Sequence, residues 1–248
     1  MPACFTPASL IAWGVQHFIF GYFIAGRPAP WPPEFPGESI IAYITGALLA
    51  GTGGAIIANQ KPVKLLIAVS IMILLWCGLR DLIFVIINLD YGGNLTNTGK
   101  ALTIGSGAML IARTYSAETG SKNKLLDLAA LCQYFTGAFL LVSGIQHFLF
   151  AEFVKFLMPT WIPGAVLWTY FAGVALFAAG LALITGIKAK LAATLAGWMV
   201  FTWLLVLHIP RAIAESNQNE WTAVFEALAV SGILFILSDT IRSRKQKV

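Results

Sequence analysis

"WGVQHFIFGYF" occupies residues 13–23, and "SGIQHFLFAEF" occupies residues 143–153. Gly, Gln, His and three Phe recur at the same spacing, 130 positions apart. The chain has only three histidines, and two of them lie in this duplicated, otherwise apolar segment. The second copy is mid-chain, so the first reads as a membrane span and not as a cleaved signal; it also lacks a basic start.

Composition agrees. The chain is 58% hydrophobic and 11% charged, against about 25% charged residues in a soluble domain. Too few polar groups are present to cover a water-facing surface. Helices satisfy their own backbone groups in lipid, so the class expected is an all-α integral membrane protein whose main partner is the lipid bilayer. The net charge of +5 sits mostly in short loops and the tail, so it sets orientation and does not indicate nucleic-acid binding. Cys4, Cys77 and Cys132 have neither disulfide nor zinc-ligand spacing, so no metal site is expected.

Eight spans are expected, at about 8–25, 39–58, 64–88, 99–114, 128–154, 164–187, 190–208 and 220–238, each near the ~20 residues that cross a hydrocarbon core. Lys61, Lys64, Arg113, Lys122, Lys124, Lys188, Lys190 and the basic tail follow even-numbered spans; Arg27, Lys100, Lys155 and Arg211 lie on the other side. The positive-inside rule then places both termini in the cytoplasm.

The repeat extends beyond the opening motif. At an offset of 127, Pro36-Gly37 pairs with Pro163-Gly164, Tyr43 with Tyr170, Gly46 with Gly173, Lys61 with Lys188 and Trp76 with Trp203. The expected organisation is a first four-span repeat at 1–114, a cytoplasmic linker at 115–127 and a second four-span repeat at 128–248. Parallel repeats of this kind relate by a pseudo-two-fold axis along the membrane normal. Stiff proline-rich loops follow the first span of each half, with Trp31 and Trp161 as interfacial anchors. "NLT" at Asn94 reads as a glycosylation sequon on the outer side.

Ionisable groups in lipid are costly and mark functional sites by default. His17 and His147 hold matching places in spans one and five. Arg80 and Asp81 lie in span three, His208 and Arg211 at the end of span seven, and Glu226 in span eight, opposite Lys100 in span four. All fall toward the non-cytoplasmic half, which predicts an outward polar site above an apolar floor. Gly14, His17 and Gly21 are expected on one inward helix face. No broken helix is evident in the sequence.

"GIQHFLFAEFVKFLMPTWIPGAVLWTYFAGVALFAAGLALITG" (144–186) resembles the DoxX-like family of small bacterial membrane proteins, and "VLHIPRAI" (206–213) is similar to the end of that family's third span. The first half has an expanded loop, and "LRDLIF" stands in place of "HIPRAI". The resemblance implies a four-helix bundle per repeat, fused in tandem, in a bacterial inner membrane. Members named for thiosulfate–quinone oxidation imply a membrane redox subunit. His17, His147, His208 and Arg211 are the positions that carry over.

Three readings stay open. In the first, a redox or quinone-binding subunit uses His17, His147, His208, Arg80 and Arg211 to hold the cofactor. His17, His147, Asp81 and Glu226 then move protons, and a partner protein supplies electrons. Haem between His17 and His147 is its less favoured form. The second is a binder or transporter of a small lipophilic or anionic molecule, with Arg80 and Arg211 as a clamp. The third is a structural or assembly protein without catalysis.

Overall fold

The computed structural model describes residues 5–22, 37–88, 92–120 and 123–245. Arg27, the first proline-rich loop with Trp31, Cys4 and Lys122 lie outside the described residues, as do the side chains of the basic tail. The chain is all-helical over its described length. In order the helices are α1 Phe5–Phe20, α2 Glu38–Ile57, α3 Val63–Ile87, α4 Gly92–Thr119, α5 Lys124–Leu149, α6 Ala151–Phe156, α7 Ala165–Thr185, α8 Ala189–Glu215 and α9 Gln218–Lys245.

Six of these (α2, α3, α5, α7, α8 and α9) are long and apolar enough to cross a membrane. The chain is therefore a multi-pass membrane protein. Large side chains such as Ile44, Ile86, Leu167 and Leu195 point outward, more than half exposed, as lipid as solvent allows. Helix α1 has 16 residues, about 24 Å at 1.5 Å per residue, short of the ~30 Å core. Helix α4 is long at 28 residues but opens on the polar stretch "GGNLTNTGK". It therefore begins well before the expected start at residue 99 and reaches into the expected linker.

Two further boundaries differ. The fifth span ends at Leu149, because Phe150 leaves helical geometry (φ −117°, ψ 36°), and α6 is a separate turn-and-a-half. Gly21 does not share a helix face with His17. It sits past the end of α1 at φ 68°, its N–H bonding the His17 carbonyl, a left-handed C-terminal cap.

Two compact units form, Met1–Cys132 and Gln133–Val248. In the first, α1 packs on α2 and α3 on α4. In the second, α5 packs on α7, α7 on α8 and α8 on α9.

The same close approach is built into both. A Cβ placed on Gly46 would lie 2.9 Å from the Gly14 carbonyl and 3.0 Å from the His17 Cβ; on Gly173 it would lie 3.0 Å from the His147 Cβ. Two turns further along, Gly53 rests on the Pro7 carbonyl and Ile11 N–H. Gly180 rests on the Gly137 carbonyl and Leu141 N–H in the same way. Small residues let two backbones meet, and dispersion then does the work that the hydrophobic effect does in water. Gly37 and Gly164 both begin the second helix of the pair in the left-handed region (φ 90° and 72°), where a Cβ is penalised.

The two third helices also share an irregularity. A π-turn covers Cys77–Asp81 in α3 and Leu204–His208 in α8, 127 positions apart. Both helices continue through the turn without a break. In α8 the turn accommodates Pro210, which lacks an N–H and whose ring crowds the carbonyl four residues back. Helix α3 has Ile83 at the matching place, so its turn arises without proline.

Candidate functional site

Both duplicated histidines are held the same way. The His17 Nδ1 lies 2.7 Å from the Trp13 carbonyl, and the His147 Nδ1 lies 2.7 Å from the Ser143 carbonyl. A carbonyl oxygen only accepts, so Nδ1 carries the proton in each ring. In the neutral imidazole Nε2 is then the lone-pair atom. The glycine seams fix each ring by its Cβ against Gly46 or Gly173. His17 is fully buried, at 2% exposure; His147 is half-buried. The neighbouring Phe18 stacks on Tyr43 with ring centroids 6.0 Å apart, and Phe148 meets Tyr170 at 5.7 Å with the rings tilted by 33°. Phe18, Phe20, Phe148 and Phe150 are all more than a third exposed, which makes them lipid-facing bulk.

The π-turn of α3 concentrates the polar groups of the first unit. Cys77 and Asp81 are buried on it. The Cys77 thiol faces the Thr98 carbonyl of α4 at 3.8 Å. Arg80 is half-buried and lies in the field of two carboxylates, Asp81 and Glu38 at the start of α2. Along α4, Asn94, Thr98, Thr103 and Ser106 are all buried. The Thr98 hydroxyl bonds back to the Asn94 carbonyl at 2.9 Å, and the Ser106 hydroxyl to the Leu102 carbonyl at 2.6 Å. The Asn94 sequon is therefore closed to modification, because its side chain is 3% exposed.

The matching π-turn of α8 is filled differently. Leu204, Ala212, Val224 and Ala227 form a buried apolar cluster there. His208, the counterpart of Asp81, ends the turn half-buried. Arg211 is committed to structure: its guanidinium donates to the Leu157 carbonyl (3.2 Å) and to the carboxylates of Glu215 and Glu220 (both 3.1 Å). The Arg211–Glu220 pair is largely shielded, with side chains 16% and 14% exposed. It ties the segment after α6 to both α8 and α9. Glu226 is half-buried on α9, next in sequence to the cluster residue Ala227.

The structure thus gathers Arg80 and Asp81 with Cys77, Asn94, Thr98 and Glu38 in the first unit. His208 and Arg211 share α8 in the second, and each histidine of the QHF pair belongs to its own unit. Sequence reading missed Asn94, Thr98 and Glu220. Asn94 and Thr98 are four apart, the spacing of one helix face, a signal masked by the polar residues around them. No group of three or more His, Cys, Asp or Glu suited to a metal occurs among the described residues.

No curated protein and no solved structure matches the chain. Residues 136–234 match the model of a domain of unknown function, DUF8561; that stretch holds His147, the Gly173 seam, the second π-turn, Arg211 and Glu226.

Proposed function

We propose that the protein is a tandem pair of DoxX-like four-span repeats in a bacterial inner membrane, with both termini cytoplasmic, that binds a quinone-class lipophile as part of a redox assembly. The repeats are taken as 1–114 and 128–248, joined at 115–127. The observation that carries this reading is the shared histidine geometry. With Nδ1–H on a carbonyl, Nε2 carries the lone pair of the neutral ring and is the atom that accepts a proton from a hydroquinone hydroxyl; in the charged ring it donates to a quinone oxygen. A ring held at its Cβ by a glycine seam meets the need for a preorganised group. In the first unit Asp81 supplies a proton acceptor and Arg80 a donor to a head group; in the second, Glu226 and His208 take these parts. Electrons come from a partner protein. Arg211, with its ion pairs, serves to hold the outer segment in place.

The test uses purified protein in nanodiscs titrated calorimetrically with decyl-benzoquinone and its hydroquinone. Binding is expected in wild type and weakened about tenfold in His17→Ala and His147→Ala, the scale of one buried hydrogen bond. Equal affinity in all three proteins removes the proposal.

A further inference from the structure

We propose that the seam between α3 and α4 in the first repeat is a binding site for a single hydroxyl group, held between the Asn94 amide and the Asp81 carboxylate. The two helices run antiparallel, and the Cys77–Thr98 contact fixes their register. Asp81 is one turn beyond Cys77 and Asn94 one turn before Thr98, so the two stand at the same level. Both are more than nine-tenths buried, at 7% and 3% exposure. The Asn94 Nδ2 is buried with no acceptor among the described residues. The Asp81 carboxylate receives no hydrogen bond there, only the field of Arg80. A donor and an acceptor left unmade in a low-dielectric seam each carry a desolvation cost. A hydroxyl removes both at once, because it accepts from the amide and donates to the carboxylate.

The second repeat supplies an independent argument. At the same seam Leu204 stands for Cys77 and Val224 for Thr98, within an apolar cluster. At the level of Asp81 and Asn94 the second repeat has His208 and Glu220, and Glu220 there is paired with Arg211 at 3.1 Å, a partner of the kind that the Asn94 amide lacks among the described residues. Further buried hydroxyls on this seam, Ser70 and Thr103, also have side-chain oxygens without partners among the described residues, and they extend the polar lining inward.

The hydroxyl has two sources, an internal water or the head group of a lipophilic alcohol or phenol, and the experiment separates them. Decyl-hydroquinone, which carries hydroxyls, and decyl-benzoquinone, which does not, are titrated into wild type, Asp81→Asn, Asn94→Leu and the exchange variant Asp81→Asn/Asn94→Asp. Each is first checked for a monodisperse fold. A head-group hydroxyl predicts about tenfold weaker hydroquinone binding in each single variant, with benzoquinone unaffected. The exchange variant recovers to within about threefold, since a hydroxyl reverses its donor and acceptor roles. If the source is water, infrared difference spectra in H2(18)O show an isolated water band in wild type and the exchange variant, absent in both single variants. Neither pattern, or an exchange variant as impaired as the single ones, overturns the proposal. Loss of quinone binding in the histidine variants alone leaves it standing, so the two readings fail separately.

Discussion

Gly144→Ala and Gly51→Ala add the same methyl group to membrane helices and are expected to move stability in opposite directions. At Gly144 the new Cβ would sit 2.6 Å from the Phe177 nitrogen and 2.8 Å from the Gly173 carbonyl, both backbone atoms. Reaching ordinary contact at 3.4 Å requires α5 and α7 to part by about 0.8 Å. A gap of that size forfeits a quarter to a half of each dispersion contact along the seam. Overpacking a close-fitted site costs about 1–3 kcal/mol, and with backbone on both sides the upper end, about 3 kcal/mol, is expected. At Gly51 nothing lies within 4 Å, so the helix-propensity gain of up to ~1 kcal/mol is unopposed. The assay is SDS titration of purified protein in mixed micelles, followed by tryptophan fluorescence. Gly144→Ala should unfold at clearly lower SDS than wild type, and Gly51→Ala at equal or higher SDS. A Gly144→Ala midpoint at or above wild type refutes the idea that backbone contact at this seam holds the pair together.

Gly14→Ala should copy the Gly144 result, since its Cβ would meet Ala50 N and the Gly46 carbonyl at 2.7 Å; a neutral midpoint in the same titration would separate the two seams. Arg211→Met should cost about 3 kcal/mol by stranding the shielded Glu220 carboxylate, while Arg211→Met/Glu220→Met should recover most of the loss. The same unfolding assay reads this as a double-mutant cycle, and simple additivity would argue against the pair. Pro210→Ala should keep the π-turn of α8, because α3 keeps its own with Ile83; carbonyl shifts of residues 204–206 by solid-state NMR report it. Cys77 and Cys132, at 2% and 0% exposure, should resist N-ethylmaleimide in a Cys4→Ser protein until SDS unfolds it, with mass spectrometry counting the adducts.

The QHF motif and the 127-residue pairings made the helical membrane class and the local duplication legible. Apolar runs and small-residue spacing are one-dimensional signals, and the seams at Gly46 and Gly173 follow from them directly. The site was less legible. Arg80 and Asp81 stood out as charges in lipid, but Asn94 and Thr98 were hidden by their surroundings. A polar helix start looks like a loop when its buried face cannot be seen, and α4 was therefore begun late. The π-turns were hidden for another reason. Pro210 is a signal in α8, whereas the turn in α3 has no residue that demands it. Arg211 read as an anion clamp because sequence gives a charge but not the three acceptors that surround it.

The paired π-turns carry a historical consequence. A π-turn is an α-helix with one residue inserted, and undoing it requires deleting that residue in register. Two insertions at the same place in two helices are less economical than one insertion copied. The inserted residue therefore entered a single ancestral repeat before the gene doubled. Whatever now differs between the copies, Cys77, Asp81 and Thr98 against Leu204, His208 and Val224, arose afterwards, by substitution alone. On that ordering, the bend in the third helix is older than the difference between the side chains that its two copies carry.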